Sequence, residues 1–271
     1  MRILLGIDSG ANTDVLDLAK RLRFRHIALD LVHAVPSFSS IPFASPDMFL
    51  LTYNELERMR LNDEAQANSL LSVAAEYAGY DNKRLTTHIL HGNPTDALMD
   101  YADDTVADLI AVNAPHQSPL LAFLSGSVAR GLVVGARQSV LLARPNQAQS
   151  GEADDTRPLR AVLATDHSPY MNRCIERLLY FAPLGLEHVT ILSCFPALEL
   201  ERLRPYLPHV AVDPAEALRH DLESKNQQLI ERLGAATRPV PVTYASQVSG
   251  DPVNEAIVFG KSIAGEVSFQ A

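Results

Sequence analysis

No run of apolar residues in this 271-residue chain is long enough to cross a membrane. A transmembrane helix needs about 18 or more consecutive apolar residues, whereas the longest runs here, such as Val106–Val112 and Val140–Ala143, have the length of a strand. The segment Met1–Asp8 holds one arginine and an apolar run too short for the core of a signal peptide. We therefore expect a cytoplasmic protein with no membrane partner.

Clusters of positive charge are also lacking. The chain has 23 Lys and Arg against 32 Asp and Glu, a net charge of −9, and its acidic residues are spread along it. Binding a phosphate backbone needs concentrated positive charge, so we expect no nucleic acid partner. Cysteine is scarce, and we interpret Cys174 and Cys194 as buried thiols in apolar surroundings rather than a disulfide or metal pair.

The chain contains an internal repeat. An apolar segment ending in Asp8 resembles one ending in Asp166, and Gly92-Asn93-Pro94 recurs as Gly250-Asp251-Pro252. The Asp and the Gly are 84 residues apart in both copies, so one offset of 158 relates them. Between the copies lies a polar stretch with Gly and Pro (NQAQSGEADDTRP), which is typical of a linker. We predict domain 1 at 1–146 and domain 2 at 158–271.

Within domain 1 the hydrophobic period alternates between continuous apolar runs, which indicate buried strands, and the spacing of amphipathic helices. We predict strands at 2–7, 26–35, 84–90, 107–112 and 139–144, and helices at 12–24, 54–78, 95–104 and 126–137. Strands that alternate with helices form a parallel sheet with right-handed crossovers and helices on both faces. The predicted fold class is therefore α/β, with one such sheet in each domain.

The second copy is predicted to be incomplete. Subtracting the offset places Ala271 at the position of Asn113, so the copy has no counterpart of residues 114–144. Its ending (GKSIAGEVSFQA) also lacks the continuous apolar run of 108–112. We expect the second domain to repeat the first through the helix at 255–260 and then to stop, without the last helix and strand.

Ligands of an open parallel sheet bind beyond the carboxyl ends of the strands, where the strand order reverses. Asp8 ends the first strand, and Asn113 to His116 follow the fourth. Gly126 and Ser127 open a helix, whose free N–H groups and dipole attract anions. These pieces predict a nucleotide site in which Asp8 accepts from the base or ribose. Two alternatives stay open: Asp8 as a turn or helix cap, and Ser127 as an ordinary cap.

The order of these motifs resembles the universal stress protein family. After Asp8 the chain reads GNPTDAL (92–98), ADLIAV (107–112), GSVARGL (126–132) and VLLAR (140–144), and the second copy shares all but the last two. The resemblance implies two tandem HUP-type, Rossmann-like domains, the second truncated, with a five-stranded sheet and pairing about a two-fold axis. In one branch it also implies ATP bound by Gly-x-x-Gly, nine residues, then Gly-Ser or Gly-Thr.

This chain departs from that ATP motif. Counted back from Gly126, the two loop glycines fall at Asn113 and His116. A left-handed backbone, which glycine permits, costs other residues about 1–2 kcal/mol, and Pro115 removes an N–H. We predict a degenerate site for ATP or another adenine nucleotide in domain 1, and no nucleotide in domain 2. In the opposing interpretation, His116 supplies a phosphate contact.

These observations favour a stress-response binding or regulatory protein. The alternatives are an ATP-using enzyme of the same superfamily, for which no acid–base constellation is visible, and an interaction module that needs no ligand. We assign no catalytic residue. A small apolar ligand near the apolar segment 38–51 is a further alternative, and we favour a core or lid role for that segment.

Two more expectations concern metals and assembly. His88 and His91 lie on opposite faces of a strand and have no third ligand nearby in the sequence, so we assign no metal. The last strand, Ser139–Arg144, is a hydrophobic edge, and an unpaired edge of this kind is a liability. We therefore predict a homodimer formed through that strand.

Overall fold

The computed structural model describes residues 1–8, 13–35, 53–80, 84–114, 127–143, 159–194, 202, 213–235, 242–249 and 267–269. The chain divides into two compact units. Unit 1 comprises Met1–Lys20 and His26–Ala153, and unit 2 comprises Arg21–Arg25 and Asp154–Ala271. The predicted linker between the two domains lies outside the described residues.

Unit 1 alternates strands and helices close to where the sequence predicts them. Its strands are β1 (Arg2–Gly6), β2 (Ala28–Val35), β3 (Leu85–His91), β4 (Leu109–Asn113) and β5 (Ser139–Ala143). Its helices are α1 (Asp14–Leu22), α2 (Tyr53–Ala78), α3 (Pro94–Asp104) and α4 (Ser127–Gly135). Helix α1 begins two residues later than predicted, after Thr13, whose carbonyl accepts from the Asp17 N–H at 2.9 Å.

The five strands are all parallel and lie in the order β3-β2-β1-β4-β5. The chain moves in one direction from β1 to β3 and in the other from β4 to β5. The order therefore reverses between β1 and β4, which is where ligands of such sheets bind. This topology confirms the predicted parallel α/β sheet of unit 1.

The core explains why the strands read as continuous apolar runs. Successive side chains of a strand point to opposite faces, and both faces of β1 are buried, with Ile3, Leu4 and Leu5 all at 0% exposure. Helices α3 and α4 cover one face, and right-handed crossovers place α1 and α2 on the other. The cluster under α3 and α4 consists of Leu4, Val32, Leu98, Ala102, Ala107, Ile110, Val112 and Leu132.

The predicted turn before α3 is confirmed in detail. Gly92 has a φ of +123°, a conformation that side chains strongly disfavour. Asn93 caps the helix by accepting from the Thr95 N–H at 2.9 Å, and Pro94 fills the first helical position. Gly92 and Pro94 therefore act through backbone geometry, as their residue types predict.

Unit 2 contains a second parallel sheet. Its strands are β6 (Leu159–Ala164), β7 (Leu186–Cys194), β8 (Thr243–Ser249) and β9 (Val267–Phe269), and its helices are α5 (Pro169–Phe181) and α6 (Pro214–Ala235). The strands lie in the order β8-β7-β6-β9. Strands β8, β7, β6 and β9 thus occupy the places that β3, β2, β1 and β4 hold in unit 1.

The pairing register follows the offset found in the sequence. Ala161 pairs with Val267 as Ile3 pairs with Leu109, and both members of the pair are displaced by 158 residues. A strand, β9, therefore follows the point at which the sequence analysis has the second domain stop, while the predicted helix at 255–260 lies outside the described residues. Hydrogen bonding along β6 defines the short strand β9, and such pairing requires no apolar run. The repeat itself stays a prediction.

Two further observations concern the described residues alone. No helix among them combines the length and apolarity needed to span a membrane. Cys174 and Cys194 form no disulfide there, and both are half-buried rather than buried as expected. Cys194 is the last residue of β7.

Candidate functional site

Two of the predicted site residues, Asp8 and Asn113, meet at the point where the strand order reverses. Asp8 follows β1 and Asn113 ends β4, and these strands are neighbours in the sheet. The Asn113 side-chain amide Nδ2 donates to the Asp8 carboxylate Oδ2 at 3.4 Å. The Asp8 side chain is exposed and that of Asn113 is half-buried. The fold therefore presents a carboxylate to solvent at the carboxyl edge of the sheet.

The other end of the Asn113 amide binds helix α1. Its Oδ1 accepts from the backbone N–H of Val15 at 2.9 Å, in the first turn of the helix. The first N–H groups of a helix have no partner within it, so Asn113 satisfies one of these groups from another strand. A glycine at position 113 has no side chain to do this.

The strain that the sequence analysis expected at position 113 is not found. Asn113 belongs to strand β4 and is not among the residues with a positive φ. Its replacement of a loop glycine therefore carries no left-handed backbone cost. What it changes is the space at the strand end, since an amide side chain now lies between Asp8 and α1.

Three predicted site residues remain: His116, Gly126 and Ser127. His116 and Gly126 lie outside the described residues, and Ser127 is the first residue of α4. Because α4 connects two parallel strands, β4 and β5, it begins at the carboxyl edge of the sheet. Ser127 is thus placed at the edge that carries Asp8 and Asn113.

Helix α4 lies unusually close to α3. A Cβ atom added to Gly131 would lie 2.5 Å from Cγ2 of Thr95, closer than real Cβ contacts allow. Gly131, the second glycine of the GSVARGL motif, therefore permits the approach of the two helices. Its role is to position the helix whose amino end borders the site.

His33 is a residue near this site that sequence reasoning missed. Its Nδ1 lies 2.7 Å from the carbonyl oxygen of Ile7, the residue before Asp8. A carbonyl oxygen only accepts, so Nδ1 carries the proton and, in the neutral ring, Nε2 is left as an acceptor. The available signal was a single histidine within the apolar run Leu-Val-His-Ala-Val of β2. An imidazole, a carboxylate and an amide thus lie around the ends of three adjacent strands.

The corresponding segment of unit 2 is differently built. Asp166 follows β6 as Asp8 follows β1, and its Oδ1 accepts from the Ser168 N–H at 2.8 Å. The backbone and side-chain hydrogen bonds from Ser168 hold the pKa of Asp166 below its usual value. Ser168 also caps α5 by accepting from the Met171 N–H at 3.1 Å. Asp166 therefore acts here as part of a turn that starts a helix.

His167 joins a buried polar network beside this turn. Its Nε2 lies 2.8 Å from Oδ1 of Asn226 and 3.1 Å from the hydroxyl of Ser193. Ser193 donates to the same Asn226 oxygen at 2.7 Å, and Asn226 Nδ2 donates to Ser246 at 3.0 Å. Asn226 and Ser193 are both at 0% exposure. Because an amide oxygen only accepts, Nε2 of His167 carries the proton.

His88 and His91, which the sequence analysis considered as metal ligands, contact different residues. The His88 ring packs on Tyr101 with centroids 5.2 Å apart, and His91 Nε2 lies 3.7 Å from Glu64. Across the described residues, no group of three or more His, Cys, Asp or Glu side chains is arranged to hold a metal ion.

The comparisons with known proteins give a family and a fold. The universal stress protein family model matches residues 1–144. A solved universal stress protein from Archaeoglobus fulgidus DSM 4304 aligns with a TM-score of 0.60 and 15% identity over 99% of this chain and 84% of that chain. At that identity the likeness shows the fold alone, which includes both units. No curated protein matches the chain.

Two other solved structures align with about half of the chain. A universal stress protein from Archaeoglobus fulgidus in complex with dAMP has a TM-score of 0.37 and 23% identity, over 53% of this chain and 97% of that chain. A universal stress protein in complex with cAMP has a TM-score of 0.37 and 21% identity, over 53% and 96%. Because the family model matches more than half of its residues, this chain belongs to the universal stress protein family.

Proposed function

We propose that unit 1 is a binding module for an adenine nucleotide and serves a regulatory role in a stress response. The observation that carries this proposal is the contact of Asp8 with Asn113 at the reversal of strand order. An exposed carboxylate at this position accepts from the N–H groups of a base or the hydroxyls of a ribose. Ser127 and the amino end of α4 supply N–H groups for a phosphate, together with Gly126 and His116, which precede them in the sequence.

The same geometry supports weak rather than tight binding. The Asn113 amide is already bonded to Val15 at one end and to Asp8 at the other. A ligand that takes the Asp8 carboxylate competes with this amide, and a side chain stands where a loop glycine admits a phosphate. His33 adds an imidazole next to Ile7 that can bond to the base or ribose. We assign the nucleotide to unit 1 alone.

Isothermal titration calorimetry of the full chain with ATP, dAMP and cAMP tests the proposal, with GTP as the base control. The variant Asp8→Asn keeps the size of the side chain and removes its charge. We expect it to weaken adenine nucleotide binding by about tenfold or more, since hydrogen bonds to charged groups contribute about 1.5–3 kcal/mol. Asp104→Asn is the matched control, because Asp104 is exposed at the far end of α3.

Each outcome of these experiments supports one of the alternatives. Binding of adenine nucleotides that Asp8→Asn weakens and Asp104→Asn leaves unchanged supports the site. Release of phosphate or transfer of AMP by the wild type favours the enzyme alternative instead. An absence of heat with every nucleotide refutes the proposal and favours an interaction module that needs no ligand.

We also propose that two copies associate through β5. This strand ends the five-stranded sheet, and four of its five residues are only half-buried. Helix α4, which precedes it, exposes Val133 at 48% and Val134 at 80%. An apolar strand at a sheet edge is a template for pairing with another chain. A second copy of the same edge offers a symmetric partner for it.

A further inference from the structure

Unit 2 contains a cleft that belongs to none of the sites described above. It lies between α5 and α6 and has a volume of about 230 Å³. Pockets for drug-sized ligands measure about 300–1,000 Å³, so this cleft suits a smaller molecule. The residues that line it are His167, Asn172, Lys225, Gln228, Leu229 and Arg232.

The lining carries cations, amides and an imidazole, but no carboxylate. On α6 the lining positions 225, 228, 229 and 232 are spaced three and four residues apart, so they form one face of the helix. Leu229, at 3% exposure, packs into the interior at the base of this face. Lys225 and Arg232 stand two turns apart along it. The cleft is therefore lined by two cationic side chains, each paired with a carboxylate outside the lining, above an apolar base.

Each cation is held in place by an acidic neighbour outside the lining. Lys225 Nζ donates to Asp221 Oδ2 at 2.6 Å, one turn earlier on α6, and Arg232 donates to Glu176 on α5. These bonds use one N–H of each cation. Lysine has three N–H donors and arginine has five, so both retain donors for a ligand. The ion pairs also reduce the side-chain freedom that a ligand must otherwise restrict.

Helix α5 contributes a polar group and a favourable field. Asn172 lines the cleft from the first turn of this 13-residue helix, where its N–H donates to the carbonyl of Ser168 at 3.0 Å. The amino end of a helix carries a partial positive charge. The side chain of Asn172 and this dipole therefore add to the attraction of an anion.

His167 is fixed at the cleft by hydrogen bonds to its ring and has an unfavourable backbone conformation. Its backbone φ of +57° is left-handed, which is unfavourable for a residue with a side chain. The ring is held through Nε2 by the buried Asn226 and Ser193. Backbone strain of this kind persists where the surrounding structure over-determines it, and it clusters at binding sites. The ring is thus a rigid wall of the cleft.

We propose that this cleft binds the phosphate group of a small anion, with Lys225 and Arg232 as its two cationic contacts. Arginine and lysine are the side chains that bind phosphate oxygens most effectively, arginine through paired N–H donors. The amides of Asn172 and Gln228 supply further donors around a tetrahedral group. Free inorganic phosphate and a small phosphate monoester share this chemistry.

The experiment follows the amide spectrum of the ¹⁵N-labelled full chain at constant ionic strength. Inorganic phosphate and glycerol 3-phosphate are titrated in separate series, with sodium chloride as the balancing salt. The wild type should show saturable shifts of the amides at His167, Asn172 and Gln228. In Lys225→Gln/Arg232→Gln, binding should weaken by at least about tenfold, the effect of losing a charge-assisted hydrogen bond.

A second double variant controls for loss of charge. Arg177 and Arg219 are exposed on α5 and α6 and do not line the cleft, so Arg177→Gln/Arg219→Gln should bind like the wild type. Tighter binding of glycerol 3-phosphate identifies the phosphate of a larger molecule as the ligand, and the reverse order identifies free phosphate. Either order supports the cleft.

Three results overturn the proposal. They are shifts that do not saturate, binding that Lys225→Gln/Arg232→Gln leaves unchanged, and an equal loss in the control variant, which would indicate general charge screening. The nucleotide site is tested by Asp8→Asn with nucleotides, and the cleft is tested by Lys225→Gln/Arg232→Gln with phosphate, so the two tests use different residues and different ligands. The cleft and the nucleotide site can therefore be refuted separately.

Discussion

Replacing Gly131 with alanine tests the contact that positions α4 against α3. The added Cβ would lie 2.5 Å from Cγ2 and 3.1 Å from Oγ1 of Thr95, so the helix or Thr95 must move. Overpacking of this kind costs about 1–3 kcal/mol, and the higher helix propensity of alanine offsets about 1 kcal/mol. We expect Gly131→Ala to lower the free energy of unfolding of unit 1 by about 0–2 kcal/mol.

The sign of the effect should change when Thr95 is shortened. Thr95→Ala removes both of the closest atoms and leaves the Cβ of residue 95, which lies 3.3 Å from the added methyl group. In that background Gly131→Ala should raise the free energy of unfolding by up to about 1 kcal/mol, the gain in helix propensity. The coupling between the two substitutions should therefore be about 1–3 kcal/mol.

Native-state hydrogen exchange is the suitable assay. The chain has no tryptophan to report on one unit, and it folds as two units, so a single transition does not define the free energy of unit 1. The amides of buried residues such as Ile110 and Leu132 are expected to report the opening of its core. Gly135→Ala is the control, because its Cβ would meet the flexible Met99 sulfur at 3.0 Å.

One result would refute this reasoning. If Gly131→Ala changes the free energy of unfolding equally in both backgrounds, within about 0.5 kcal/mol, the two residues are independent. The close approach of α3 and α4 would then have another cause.

Three further predictions concern buried polar groups, pH and assembly. Asn226→Ala should lower the stability of unit 2 by about 1–3 kcal/mol, measured by native-state hydrogen exchange of its amides, because the buried Ser193 hydroxyl loses its acceptor. The pKa of Asp166 is depressed by Ser168, so its stabilisation is present above about pH 4 and is lost as the pH falls through its folded value. Asp166→Ala should therefore flatten the acid dependence of unfolding, and an unchanged pH profile would contradict this. Leu141→Lys should convert a β5-linked dimer to monomers in light scattering, and a wild type that is already monomeric would contradict the dimer.

Leu141 is the residue of β5 whose substitution affects the sheet edge without touching the cluster under α3 and α4. Its neighbours Val140 and Leu142 pack against the cluster under α3 and α4, so a lysine there would damage the core as well as the edge. Leu141 points to the other face of the sheet, as alternate residues of a strand do. A loss of association in Leu141→Lys with an unchanged circular dichroism spectrum can therefore be assigned to the edge rather than to unfolding.

The elements of unit 1 were predictable because their signals are local. Continuous apolar runs such as residues 3–5 mark strands buried on both faces, and Gly92-Asn93-Pro94 marks a turn and a helix start through backbone geometry. Strand β9 was not predicted, because its own sequence carries no such local signal. Its three residues carry too little apolar pattern, and pairing with β6 defines them.

The sequence by itself determined the alternation of strands and helices in unit 1 and the position of Asp8 and Asn113 at strand ends, and it predicts a repeat with an offset of 158. Only the tertiary structure decided that Asn113 binds Val15, 98 residues away, and that it does so without backbone strain. It likewise brought His167 to Asn226, 59 residues away. The physical reason is that periodicity and turn residues report local burial and backbone geometry. Hydrogen bonds between distant side chains depend on how the packed elements bring them together.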